Sequence, residues 1–360
     1  MVCKPQMDQS GVFMISVFDT ALHNLSDENQ PITIGLLCMF SDPSRNESQS
    51  FAALWPTLTL ERRRQVINKM VEQYEERFDL DYGALFRICL DDADAEVRRS
   101  AIDGLWEDEG LDLVNTFIRM MQTDPDTLVR AAAASSLASF VYMAECDELE
   151  PTRTVRVRLA LEQTINNPEE DLEVVRRAVE AISFINDDRI RAIIENAYSQ
   201  RDERMRVSAL FAIGRNADPY WADIIITELG NALAIMRFEA VRASGELQLK
   251  RAVPLLVGLV QDTDPEVQSV AVWALGQVGG KEAEATLQQL STSKDEALND
   301  AALEALNELG FATGVMDMIV HDAETDLEDL IEVDLYKGNL DGDSDETSAD
   351  TWDDDPIELN

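Results

Sequence analysis

Apolar residues recur along most of this chain at helical spacing. The unit is an aliphatic anchor, a small residue at +4 and +7, and in most copies an aliphatic at +8. In DTDPEVQSVAVWALG these are Val267, Ala271, Ala274 and Leu275. The same positions hold Val97, Ala101, Gly104 and Leu105, then Val129, Ala133, Ser136 and Leu137, then Val174, Ala178, Ala181 and Ile182. They continue with Met205, Ala209, Ala212 and Ile213, with Met236, Ala240, Ala243 and Ser244, and with Leu298, Ala302, Ala305 and Leu306. A helix turns about 100° per residue, so the four positions share one stripe. The small side chains let a neighbouring helix come close. A second aliphatic run precedes each anchor, as in YWADIIITELG (220–230) and AVPLLVGLVQD (252–262). No segment alternates as a strand would.

The anchors sit at 97, 129, 174, 205, 236, 267 and 298, so the steps are 32, 45, 31, 31, 31 and 31 residues. A constant step of 31 fits two helices of about 11–12 residues and two short turns. The step of 45 is one period plus a 14-residue insertion, placed near 143–156. One period before Val97 lies Val66, in a degenerate copy. The pattern therefore predicts an all-α chain of about eight stacked helix pairs, an α-solenoid on the order of 70–80 Å long at helix spacings of about 8–10 Å. Asp124-Pro125 and Asp264-Pro265 read as an N-cap followed by Pro at the first helical position. Gly279-Gly280 and Gly310 read as helix ends. Residues 60–310 form the array. Residues 1–59, with apolar stretches at 12–22 and 32–40, are expected to cap its first repeat. Residues 311–336, with Leu327, Leu330, Ile331 and Leu335 at helical spacing, are expected to cap the last. Residues 337–360 are read as a disordered acidic tail.

The 31-residue period, the D-x-x-V-R turn at Asp94 to Arg98 and Asp126 to Arg130, and the small-residue helix resemble HEAT repeats over roughly 60–310. More narrowly, they are similar to the short HEAT-like repeats named after the phycobilisome lyases, which occur in many bacterial proteins. The resemblance implies an armadillo-like helical solenoid and leaves function open, because such repeats serve unrelated roles. It also implies that the arginine after the anchor (Arg98, Arg130, Arg206, Arg237) pairs with turn aspartates such as Asp94 or Asp124 as structural glue. Two enzymatic precedents follow from it. Deoxyhypusine hydroxylase holds iron with His-Glu pairs, and this sequence has no His-Glu dipeptide. Phycobilin lyases hold an open-chain tetrapyrrole in the concave groove, and no short motif carries that activity across.

Composition narrows the chemistry. The chain has 360 residues, 70 Asp+Glu against 30 Lys+Arg, and a formal net charge of −40. Such a field repels nucleic acid and anionic membranes. It is uneven, since 317–360 hold 17 acidic residues and one basic one, Lys337. The only histidines are His23 and His321, which removes most triad and metal chemistry. Cys3, Cys38, Cys89 and Cys146 are scattered without a C-x-x-C pair, so reduced, incidental thiols are expected. The acidic run 339–350 alternates like a calcium loop but lacks the glycine and the closing Glu that such a loop needs. Gly214 and Gly245 follow helical segments, not strands, and make no phosphate loop. The expectation is a cytoplasmic, non-catalytic protein with no cofactor, no metal and no catalytic set.

Function in such a rod belongs on the concave face, lined by the anchor-bearing helices. Position +5 is apolar in most units (Ile102, Val179, Leu210, Val241, Val272, Leu303) and should pack between repeats. That leaves +2, +6 and +10 for the inner surface. Polar residues fill these positions at both ends of the array. In the middle they gather Phe184, Phe211, Phe238 and Trp273 with Arg215 and Arg242. This patch fits two roles, a protein-binding hot spot or packing between repeats. Trp221, on the other helix layer, reads as structural. The insertion reads as a longer inter-repeat loop, whose Arg153, Arg156 and Arg158 either form a basic site or are neutralised by Glu145, Asp147, Glu148 and Glu150. The functional expectation is a scaffold for a protein partner, with the acidic tail favouring basic ones. A phycobilin-lyase-like ligand binder is the alternative, and a hydroxylase the remote one.

Overall fold

The computed structural model describes residues 16–77 and 79–310. Three N-terminal helices, α1 (Val17–Ser26), α2 (Ile34–Cys38) and α3 (Arg45–Leu54), are followed by α4 (Leu60–Glu76), α5 (Gly83–Cys89), α6 (Ala95–Asp103), α7 (Leu113–Thr123) and α8 (Thr127–Glu145). Then come α9 (Pro151–Ile165), α10 (Leu172–Ile182), α11 (Asp188–Ser199), α12 (Glu203–Asn216), α13 (Ala222–Glu228), α14 (Ala234–Glu246), α15 (Val253–Leu259), α16 (Pro265–Val278) and α17 (Lys281–Leu290). A last helix, α18, covers 296–310. No strand occurs among the described residues. From α4 onward the even-numbered helices carry the anchors and pack each on the next, while the odd-numbered ones form the second layer of this all-α solenoid.

The anchors Val97, Val129, Val174, Met205, Met236 and Val267 are buried, as are Ile102, Val179, Leu210, Val241 and Val272 at +5. Leu303, at +5 of the last described unit, is 47% exposed. The closest approach lies at +9, a position the spacing argument had not singled out. A methyl added to Gly214 would lie 3.0 Å from the Ala243 Cα, and one on Gly276 would lie 2.9 Å from the Ala305 Cβ. On Gly245 it would run into the Trp273 ring. These glycines let successive even-numbered helices touch backbone to backbone.

The turns are tied by charge. Arg98 grips Asp124 with two hydrogen bonds of 2.8 and 2.7 Å, and Arg237 grips Asp262 with two of 2.7 and 2.6 Å. Each also donates to backbone carbonyls of its own turn, Arg98 to Asp92 and Ala93, Arg237 to Asn231 and Ala232. Arg130 pairs with Glu170 and Arg206 with Glu228. The expected pairing with turn aspartates holds for Arg98 and Arg237, while Arg130 and Arg206 meet glutamates instead, Glu228 being the last residue of α13. Asp94 instead caps α6 and takes Arg64. One reading needs correction: Asp124 is not a cap. Asp126 caps α8, accepting from the Leu128 and Val129 amides, and Pro125 stays in the turn. At Asp264-Pro265 the cap and the proline stand as expected.

The insertion is also corrected. It makes two longer helices, not a longer loop: α8 spans 19 residues and α9 spans 15. Arg158 pairs there with Glu162 and Asp187, not with the acidic residues of 145–150. Helix α8 is apolar and long enough to cross a membrane by length and composition, but it packs between α6 and α10. Trp221 is fully buried and donates to Asn216 Oδ1 at 2.8 Å. Gly279 ends α16 with a positive φ, whereas 310 is still helical. The segments 311–336 and 337–360, with the calcium-like run, lie outside the described residues.

At the N-terminal end, Phe18, Phe40, Phe51 and Trp55 interlock with ring centroids 5.1–5.9 Å apart. Arg62 of α4 is buried and donates to the carbonyls of Asn24, Leu25, Asp27 and Gln30. It holds the end of α1 and the turn that follows. Arg62→Ala strands those carbonyls, and an unmade buried hydrogen bond costs about 1–3 kcal/mol. Amide exchange should accelerate strongly over 17–40 and stay unchanged in α8 to α16, because each unit leans mainly on its neighbours. Uniform acceleration along the chain would contradict this.

Acid titration has a defined sign. Asp94 and Asp262 are held below the usual carboxylate range mainly by the Arg64 and Arg237 side chains. Asp218 is lowered by the Tyr220 amide and then by Arg191. A depressed folded value stabilises above the unfolded one, about 3.9, and that contribution disappears as pH falls through the folded value. Glu239, raised by burial, works the other way and gains stability as pH falls through its folded value toward the unfolded one. The melting temperature should therefore peak at mildly acidic pH and fall steeply below about pH 4. A monotonic rise on acidification would show that relief of net repulsion dominates.

Candidate functional site

The even-numbered layer carries a groove of about 850 Å³. Its floor is the face of α8 that shows Ala131, Ala132, Ser135 and Ser139. One wall brings Glu75 from α4 together with Arg99, Asp103 and Trp106 from α6 and the turn after it. The other brings Glu173 and Arg177 from α10, Phe184 beyond it, and Arg215 from α12. The reason is legible locally. Unit 129 carries Ala, Ser and Ser at +2, +6 and +10, where its neighbours carry long side chains. A unit of short residues between units of long ones leaves a trough.

Of the expected site residues Phe184 and Arg215 line this groove, whereas Phe211, Phe238, Arg242 and Trp273 do not, and unit 174 is offset. There Arg177 lines the groove, while Arg176 at +2 donates to the Arg204 carbonyl and the Ser208 hydroxyl of the next repeat. Arg177 is held by Glu173 and Glu180.

Phe184, Phe211, Arg215 and Arg242 form one stack. Arg215 lies over the Phe184 ring at 4.7 Å and the Phe211 ring at 4.5 Å, and Arg242 lies over Phe211 at 4.3 Å. Tyr142 extends the stack at 5.2 Å from Phe184. All four are half-buried. Phe238 and Trp273, also half-buried, pack instead on the apolar cluster of the downstream repeats. Arg242 is fully engaged, with Glu239 at 2.8 Å, Glu246, and the Phe211 carbonyl at 2.9 Å. Arg215 differs. It has two rings but no hydrogen-bond or ion-pair partner among the described residues, and desolvation followed by the nearby Arg242 lowers its guanidinium from the ordinary value. It stays charged nonetheless. Arg99 is similar, with a buried Nε that meets no acceptor.

Sequence reasoning missed Trp106 and Tyr142, which are 56% and 53% exposed on a groove rim that also includes Leu128, 52% exposed at the start of α8. Tyr142 lies at +13 of its unit and reaches the groove only because α8 is extended. Trp106 lies at +9, beyond the end of α6. Asp103 keeps solvent contact, yet desolvation raises its carboxyl; Arg99 opposes this and Glu75 adds to it. No three His, Cys, Asp or Glu side chains converge as metal ligands among the described residues.

The HEAT repeat family matches residues 84–165 and 254–333. No curated protein matches the chain by sequence. Among solved structures, the complex of CpcE and CpcF of phycocyanin lyase from Nostoc is 19% identical, with a TM-score of 0.40, covering 55% of this chain and 77% of that one. Human deoxyhypusine hydroxylase is 17% identical, with a TM-score of 0.32, covering 82% and 96%. A designed armadillo repeat protein in complex with the peptide (KR)4 is 18% identical, with a TM-score of 0.30, covering 62% and 98%. At these TM-scores none of them bears on function.

Proposed function

We propose that this chain, a solenoid of HEAT repeats, is a non-catalytic scaffold that holds a protein partner on its even-numbered face. The observation that carries this reading is the groove rim. Trp106, Leu128 and Tyr142 stay exposed along one groove of a highly charged chain, Leu128 at the start of α8 and Tyr142 near its end, and the groove is also lined by Arg215 and by Arg99, whose buried Nε meets no acceptor. Exposed aromatic and arginine side chains around a concave surface are what an interface core uses. Trp106→Ala with Tyr142→Ala should abolish capture of the partner while the melting temperature holds. A second reading has one feature in its favour: the groove falls within the range of small-ligand pockets, and Arg215 could meet the carboxylate of a tetrapyrrole-like anion. A visible absorbance band in the purified protein would support that reading.

A further inference from the structure

We propose that the trough over α8 seats one amphipathic α-helix of the partner, with an acidic residue on the edge that meets Arg215. This rests on the protein-binding reading above. Three features of the trough select the occupant.

The first is shape. The helices walling the trough, α6 and α10, each pack on α8. A helix lying on the short residues of α8 would sit one packing distance, about 8–10 Å, from its axis, with the longer side chains of α6 and α10 flanking it on either side.

The second is hydrogen bonding. An extended segment would bring its N–H and C=O groups against the floor and would need partners for them. Ala131 and Ala132 offer none, the Ser139 hydroxyl already donates to the Ser136 carbonyl at 3.0 Å, and the serine hydroxyls of the floor are too few to pair every backbone group of an extended segment. A helix satisfies its own backbone and needs only apolar contact, which Leu128, Tyr142 and Trp106 supply along α8 to a stripe recurring at i, i+3 or i+4, i+7 over about four turns.

The third is charge. On the α10–α12 wall Glu173 is taken up by Arg176 and Arg177, so Arg215 is left as the cation without an acceptor. A carboxylate from the occupant completes it. The opposite wall, where Glu75 and Asp103 accompany Arg99, is mixed and sets no sign.

The test uses a random 16-residue peptide library displayed on phage and selected on the immobilised full-length chain. Enriched sequences should share helical apolar spacing with Asp or Glu along one edge. A synthetic copy should gain helical circular dichroism on binding. Its affinity should fall about tenfold or more, about 1.4 kcal/mol, on Ser135→Trp, which fills the trough from an exposed floor position. It should fall similarly on Arg215→Gln. Binders that Ser135→Trp blocks but that are extended, proline-rich or basic would overturn the helix inference and leave the groove reading standing. Binders indifferent to Ser135→Trp, or no enrichment at all, would overturn both.

Discussion

Arg237→Ala should lower the stability of this protein by about 3 kcal/mol, the lower end of what breaking a buried ion pair costs. The side chains of Arg237 and Asp262 are only 13% and 6% exposed. Truncating the arginine leaves a carboxylate that retains the Asp264 amide but loses its countercharge, and two carbonyls of the α13–α14 turn lose their donor. The damage is concentrated at one joint, because this strap ties unit 236 to unit 267. Arg204 is the control: it pairs with Asp202 at 3.2 Å, but the side chains are 62% and 36% exposed. An exposed pair is worth about 0–1 kcal/mol. Urea unfolding of both variants, with Asp262→Ala to close a double-mutant cycle, measures the difference. A coupling energy near zero between Arg237 and Asp262 would mean that the straps are decoration.

Trp106→Ala with Tyr142→Ala should weaken partner binding by at least about a hundredfold, given that hot-spot truncations cost about 2 kcal/mol or more each. The melting temperature should move little, since both side chains are more than half exposed. Trp273→Ala should behave in the opposite way. Its ring fills the space over Gly245, so truncation opens a gap between two repeats and lowers stability. Phe211 stands between the cases, because its ring carries both Arg215 and Arg242. Capture measured beside thermal unfolding separates the two classes. If Trp106 and Tyr142 prove dispensable for capture while Trp273 does not, the interface lies further down the array.

Much of the architecture was written in spacing. A constant 31-residue step fixes helix pairs because a stripe of apolar positions must find the same neighbour in every unit, and the buried anchors and +5 residues follow from that. The straps were legible in the same way, with Arg98 reaching Asp124 as the repeated turn requires. The glycines 214, 245 and 276 also repeat at 31, so their close contacts could have been read as packing.

The inserted residues were harder. Their number shows in the sequence, but whether they extend a loop or two helices depends on where the neighbouring units leave room. That outcome brought Tyr142 into the groove. The sequence alone determined a helical solenoid and its register, because these depend on periodicity and local hydrogen bonding. Only the tertiary structure decided which arginines keep an acceptor and where the trough lies. Both depend on side chains from α4 to α12 meeting across residues far apart in the chain, and no local pattern encodes that distance.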